Sequence, residues 1–128
     1  MRKILLYHVP VVAYGAVILL VSSIPDLRTP EIRLVALDKV AHFAEYALFA
    51  FLTFRSCTNL SQRVSIGSAF WLSLLFLAIF AVLDEYVVQQ HTMGRDASAM
   101  DFMVDLLGAV LILMLLRSRA NRPAATKK

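Results

Sequence analysis

Two stretches set ionisable groups into otherwise apolar surroundings. The first holds Asp38, Lys39, His42, Glu45 and Tyr46; the second holds Asp84, Glu85, Gln89, Arg95, Ser98, Asp101 and Asp105. On a helix, Asp38, His42 and Glu45 or Tyr46 recur at i, i+4 and i+7 or i+8, one shared face. Asp101, Asp105 and Gly108 repeat that spacing, and Asp105 then lies about 6 Å below Asp101, deep enough to require a buried partner. An ionisable residue at membrane depth costs roughly 2.5–3.5 kcal/mol, so it needs a partner or a purpose.

Several chemistries suit this set. A histidine with carboxylates can hold a divalent cation, the candidates being His42, Glu85, Asp101 and Asp105. A carboxylate and His42 can act as acid and base. Lys39 and Arg95 can contact phosphate or carboxylate oxygens, and the acids can take up amines. No His-Glu-x-x-His or cysteine pair is present, and there is no Gly-rich phosphate loop or dinucleotide fingerprint. Plainer roles compete. Asp38 and Asp101 can cap helices whose N-termini favour negative charge, His42 can be a satisfied core histidine, and Arg95 with Asp96 can be a solvated loop. Capping does not account for Asp105, Glu45, Glu85 or Gln89, nor for their lying on one side of a membrane.

The elements that must position these groups are apolar helices. Of 128 residues, 59% are hydrophobic, against about 45–50% in a soluble domain. Four runs approach the roughly 20 residues needed to cross a bilayer core: Ile4–Ile24, Asp38–Cys57, Val64–Leu83 and Ala99–Arg117. The expected fold is all-α, a polytopic four-transmembrane-helix bundle with short loops and one domain. The first run follows Arg2 and Lys3, as a signal peptide would, but it exceeds the usual 7–15 residues and Val21-Ser22-Ser23 is a poor cleavage site; it reads as an uncleaved span. Pro10 is expected to kink this helix, Pro25 to end it, and Glu31–Leu37 to form a short helix on the membrane surface. Asp38 is expected to cap the second helix and Ser98 the fourth, in a capping-box pattern. Lone Cys57 offers no disulfide.

Charge orients the bundle. Nine of the thirteen basic residues (Arg2, Lys3, Arg55, Arg63, Arg117, Arg119, Arg122, Lys127, Lys128) fall on one side and four (Arg28, Arg33, Lys39, Arg95) on the other. The positive-inside rule puts both termini and the middle loop in the cytoplasm. The basic tail is then a topology anchor able to touch anionic lipid, not a nucleic-acid arm. All nine acids fall in outer loops or outer halves of helices, leaving the outer side formally −5. The inner halves of the helices read as free of ionisable groups, which weakens a through-membrane ion or proton route.

These residues resemble a known family, the VanZ-like membrane proteins, named after a protein associated with low-level teicoplanin resistance. That family has a Ser-x-x-Pro end to its first helix, matched by Ser22 and Pro25, then Asp-Lys-x-x-His-Phe-x-x-Tyr, matched in full by Asp38, Lys39, His42, Phe43 and Tyr46. Asp84, Glu85, Gln89, Gly94, Arg95, Ser98, Asp101 and Gly108 match its later elements. Met93 stands where the family has Pro, and Asp105 where it has Asn. The stretch from Glu85 to Gln89 is one residue longer, which rotates Gln89 by about 100° if the helix continues unbroken. The resemblance implies a multi-pass protein of the bacterial cytoplasmic membrane, tied to the cell envelope and the glycopeptide response. It implies no defined reaction. Together with the residues it leads to an outward-facing polar site that binds an envelope lipid, a precursor or a lipophilic glycopeptide, with membrane lipids as partners. The alternatives are a membrane enzyme acting on a lipid-linked envelope substrate and, behind it, an ion or proton pathway.

Overall fold

Long helices account for nearly all of the chain because apolar segments leave backbone polar groups with no partner except one another. The computed structural model describes residues 2–25 and 32–122, with the backbone alone over 32–36. Four helices follow in order: α1 (Val9–Ser22), α2 (Ile32–Cys57), α3 (Ile66–Leu83) and α4 (Ala99–Ala120). A π turn, Ile4–His8, leads into α1; a second, Asp84–Val88, and a 3₁₀ turn, Gln89–His91, extend α3. No strand occurs among the described residues.

Local chemistry sets the boundaries. Ser65 and Ser98 cap α3 and α4, their hydroxyls accepting the Ser68 amide (3.0 Å) and the Asp101 amide (3.2 Å). At the end of α1, the Ser23 hydroxyl donates to the Leu19 carbonyl at 2.6 Å, and Pro25 follows. Ahead of Pro10, which has no N–H to give, the helix widens into the π turn closed by the Val9 amide on the Ile4 carbonyl.

Helix α2 departs from expectation. It begins at Ile32, so Asp38 lies inside the helix and does not cap it. No Gly or Pro falls between Ile32 and Asp38, and nothing there stops a helix. The separate surface helix over Glu31–Leu37 is replaced, from Ile32 onward, by the first turns of α2. Glu31, Arg28 and the rest of 26–31 lie outside the described residues.

The packing is inverted relative to a soluble protein. Val12, Trp71, Leu75, Ile79, Met103 and Leu107 are exposed, while Ser73, Asp84, Glu85, Gln89 and Asp105 are buried. Such an outside suits hydrocarbon. Among the described residues, three helical segments are long and apolar enough to cross a membrane: Ile4–Ser22, Ile66–His91 and Ala99–Ala120. The fourth helix, α2, has the length at 26 residues but carries Asp38, Lys39, Glu45 and Arg55. It packs against the other three, most extensively against α4.

Inside, Phe49 is the hub, with the rings of Tyr14, Tyr46, Phe76 and Phe80 centred 4.9–6.2 Å away. Ile18, Leu77, Ala109 and Leu113 complete the core. The α2–α4 contact depends on Gly108: a Cβ there would overlap the Phe43 carbonyl, so only glycine lets the two backbones meet.

Candidate polar site

The end of α1, the start of α2, the extension of α3 and the start of α4 come together at one end of the bundle. Between α2 and α4, Lys39 Nζ contacts Asp101 and lies 3.3 Å from Asp38 Oδ2. One turn deeper, His42 Nδ1 is 3.0 Å from Oδ1 of the fully buried Asp105. The rungs follow from the i, i+3 spacing of Lys39 and His42 on α2 and the i, i+4 spacing of Asp101 and Asp105 on α4. One oxygen of Asp105 thus has a partner, the part-buried imidazole of His42.

Glu85 joins α3 to α4. Its Oε1 accepts the Ser98 amide at 2.5 Å and its Oε2 accepts the Gln89 side-chain amide at 2.7 Å. It therefore satisfies an amide at the mouth of α4, while the Ser98 hydroxyl serves the amide of Asp101. The turn Asp84–Val88 is a π turn, wider than an α turn by one residue, and Gln89, four residues after Glu85, is buried against it. Arg95, just past Gly94 with its φ of 76°, donates from Nη1 to the Ser22 carbonyl at 3.1 Å. A guanidinium on the last carbonyls of α1 is a favourable C-terminal cap.

The deepest layer is unsaturated. Tyr46 Oη, Asp84 Oδ1 and Asp105 Oδ2 are buried without a hydrogen-bond partner. The three groups lie within electrostatic reach of one another, and the Ser22 hydroxyl is beside the Asp84 carboxyl. Buried polar atoms are nearly always paired, so two carboxylate oxygens and a phenol without partners in one region call for further hydrogen bonds, from water or an ion.

One ligand atom each from Asp38, His42 and Asp101 falls within 4.8 Å of the others, a grouping able to hold a cation. Of the four metal candidates read from sequence, His42 and Asp101 belong to this group. Both oxygens of Glu85 are engaged by Ser98 and Gln89, and Asp105 faces His42 from behind. With Nδ1–H donating to Asp105, His42 presents the Nε2 lone pair, the arrangement in which a second carboxylate orients a metal-binding histidine. Lys39 occupies the same two carboxylates, so an incoming cation must displace its ammonium. Four buried acids (Asp84, Glu85, Asp101, Asp105) stand near three basic groups (Lys39, His42, Arg95), each of which is engaged within the chain.

Away from this end, the expectation that the inner halves lack ionisable groups does not hold. His8 Nδ1 is 2.7 Å from Ser56 Oγ, tying the start of the chain to α2, and Thr53 and Ser73 hydroxyls are buried without partners. A histidine eight residues into the chain followed by an apolar run was the available signal for the first of these. No protein-family model, curated protein or solved structure matches the chain.

Proposed function

We propose that this is a VanZ-like protein of the bacterial inner membrane with four spans and both termini cytoplasmic. Its outward polar site binds a cationic or cation-bridged group of a cell-envelope lipid, lipid-linked precursor or lipophilic glycopeptide, and so contributes to teicoplanin resistance or envelope homeostasis. For α2 as the fourth span, the support is that three of its ionisable groups are met inside the bundle: Lys39 on Asp101, His42 on Asp105, and Arg55 over the Tyr7 ring at 4.9 Å. Charged residues that face partners are those a spanning helix tolerates.

The observation that carries the ligand class is the buried excess of carboxylate, with Asp84 Oδ1, Asp105 Oδ2 and Tyr46 Oη unpartnered. An amine, or a divalent ion bridging to phosphate, supplies what those oxygens lack. The test is binding of an undecaprenyl-linked precursor and of teicoplanin to purified protein in nanodiscs, alongside glycopeptide susceptibility of cells. Asp101→Asn and His42→Ala should weaken both; unchanged binding and unchanged susceptibility refute the proposal.

A second reading draws on the His42–Asp105 pair, a histidine oriented by a buried carboxylate in the manner of a general base. Turnover of a lipid-linked phosphate substrate that is lost in His42→Ala would favour an enzyme.

A further inference from the structure

At the opposite end of the bundle a groove of about 460 Å³ runs between α3 and α4. Phe70 and Trp71 of α3 and Met114 of α4 form its apolar part; Arg117, Ser118 and Asn121 form its rim. These last three fall within the final turn of α4 and its C-cap, so a guanidinium, a hydroxyl and an amide gather at one level. The Arg117 guanidinium lies over the Phe70 ring, 5.2 Å from its centroid.

Among the described residues no carboxylate pairs with Arg117, and the ion pairs, made by Asp38, Asp101 and Asp105, are all at the other end of the bundle. Both helices forming the groove are long and apolar enough to cross a membrane, and Trp71 is 64% exposed. The groove therefore opens onto lipid, with an interfacial tryptophan at its side and unneutralised arginine at its rim. A planar guanidinium suits two phosphate oxygens at once.

We propose that this groove seats an anionic glycerophospholipid of the cytoplasmic leaflet. Its phosphate accepts from Arg117, Ser118 and Asn121, and one acyl chain runs along Met114, Phe70 and Trp71. The other flank of α4 repeats the plan: a groove between α2 and α4 lined by Leu48, Phe51 and Leu116 has Arg119 among its lining residues. The seat is independent of the outward polar site and uses none of its residues.

Trp71 is the single tryptophan of the chain and reports on the seat directly. The full-length protein is reconstituted into phosphatidylcholine vesicles holding equal mole fractions of brominated phosphatidylglycerol or brominated phosphatidylcholine, and quenching of Trp71 is measured. The anionic lipid is expected to quench with about fivefold higher apparent affinity, the preference of one basic side chain at an anionic surface. Arg117→Gln abolishes that preference, whereas Arg122→Gln, an equal loss of charge outside the groove, retains it. Asn121→Ala, exposed beyond the helix end, lowers it about twofold and serves if Arg117→Gln does not fold. Equal quenching by the two lipids overturns the proposal. So does an equal effect of Arg117→Gln and Arg122→Gln, which would mean a diffuse field, or relief of quenching by millimolar inorganic phosphate, which would mean a free-anion site.

Discussion

Replacing Gly108 with alanine tests whether the closeness of α2 and α4 holds the polar site together. The added Cβ would overlap the Phe43 carbonyl oxygen and sit 3.2 Å from its carbonyl carbon and 3.3 Å from its Cα. Ordinary carbon contacts lie at about 3.5–4.0 Å, and all three obstructing atoms are backbone, so the helices must part by about 0.5–1 Å. A gap of that size forfeits about a quarter to a half of each dispersion contact along the interface, and overpacking of this kind costs about 1–3 kcal/mol. The same displacement carries the His42–Asp105 bond from 3.0 Å to roughly 3.5–4 Å, past the range of a hydrogen bond. Gly108→Ala should therefore unfold at lower SDS mole fraction in mixed micelles, and the His42 imidazole resonance should shift in the NMR spectrum. Gly67→Ala is the control: its Cβ would meet only Ser65 Oγ at 3.8 Å, and stability should hold or rise. A Gly108→Ala protein within about 0.5 kcal/mol of the parent, with His42 unshifted, refutes the reasoning.

Other perturbations follow from the same contacts. Asp84→Asn removes a buried carboxylate with an unpartnered oxygen; it should raise SDS resistance by about 1–3 kcal/mol while reducing ligand binding, and a fall in stability of similar size would contradict this. Lys39→Met vacates Asp38 and Asp101 and should raise calcium or manganese affinity by about tenfold or more, measured by calorimetry. His8→Ala cuts the 2.7 Å tie to Ser56 and should cost about 0.6–1.7 kcal/mol in the SDS assay, with no change in ligand binding at the polar site.

The sequence was informative where a physical rule acts locally. Periodicity and apolar length located all four helices, Ser98 announced its cap, and the i, i+4 spacing put Asp38 with His42 and Asp101 with Asp105 on shared helical faces, though it is Lys39 that meets Asp101. It was misleading where a rule has two outcomes. Asp38 resembles an N-cap in any window that starts there, yet an unbroken run from Ile32 puts it within the helix. Pairing across helices was not legible: nothing in the chain order says that Glu85 will hold the Ser98 amide or that Arg95 will reach back to Ser22. Those contacts depend on the direction in which each helix leaves its turn, which tertiary packing decides. Thr53 and Ser73 carry no periodicity or motif signal, and only their burial reveals unpartnered hydroxyls.

The π turn at Asp84–Val88 has a consequence for how such a chain can change over time. A residue inserted into a regular spanning helix would swing every later side chain around the axis and scramble a site built from one face. A widened turn confines such a disturbance to itself, and across this one Glu85 and Gln89 still meet. A residue gained or lost within such a turn is absorbed there, without the remainder of the bundle having to be rebuilt.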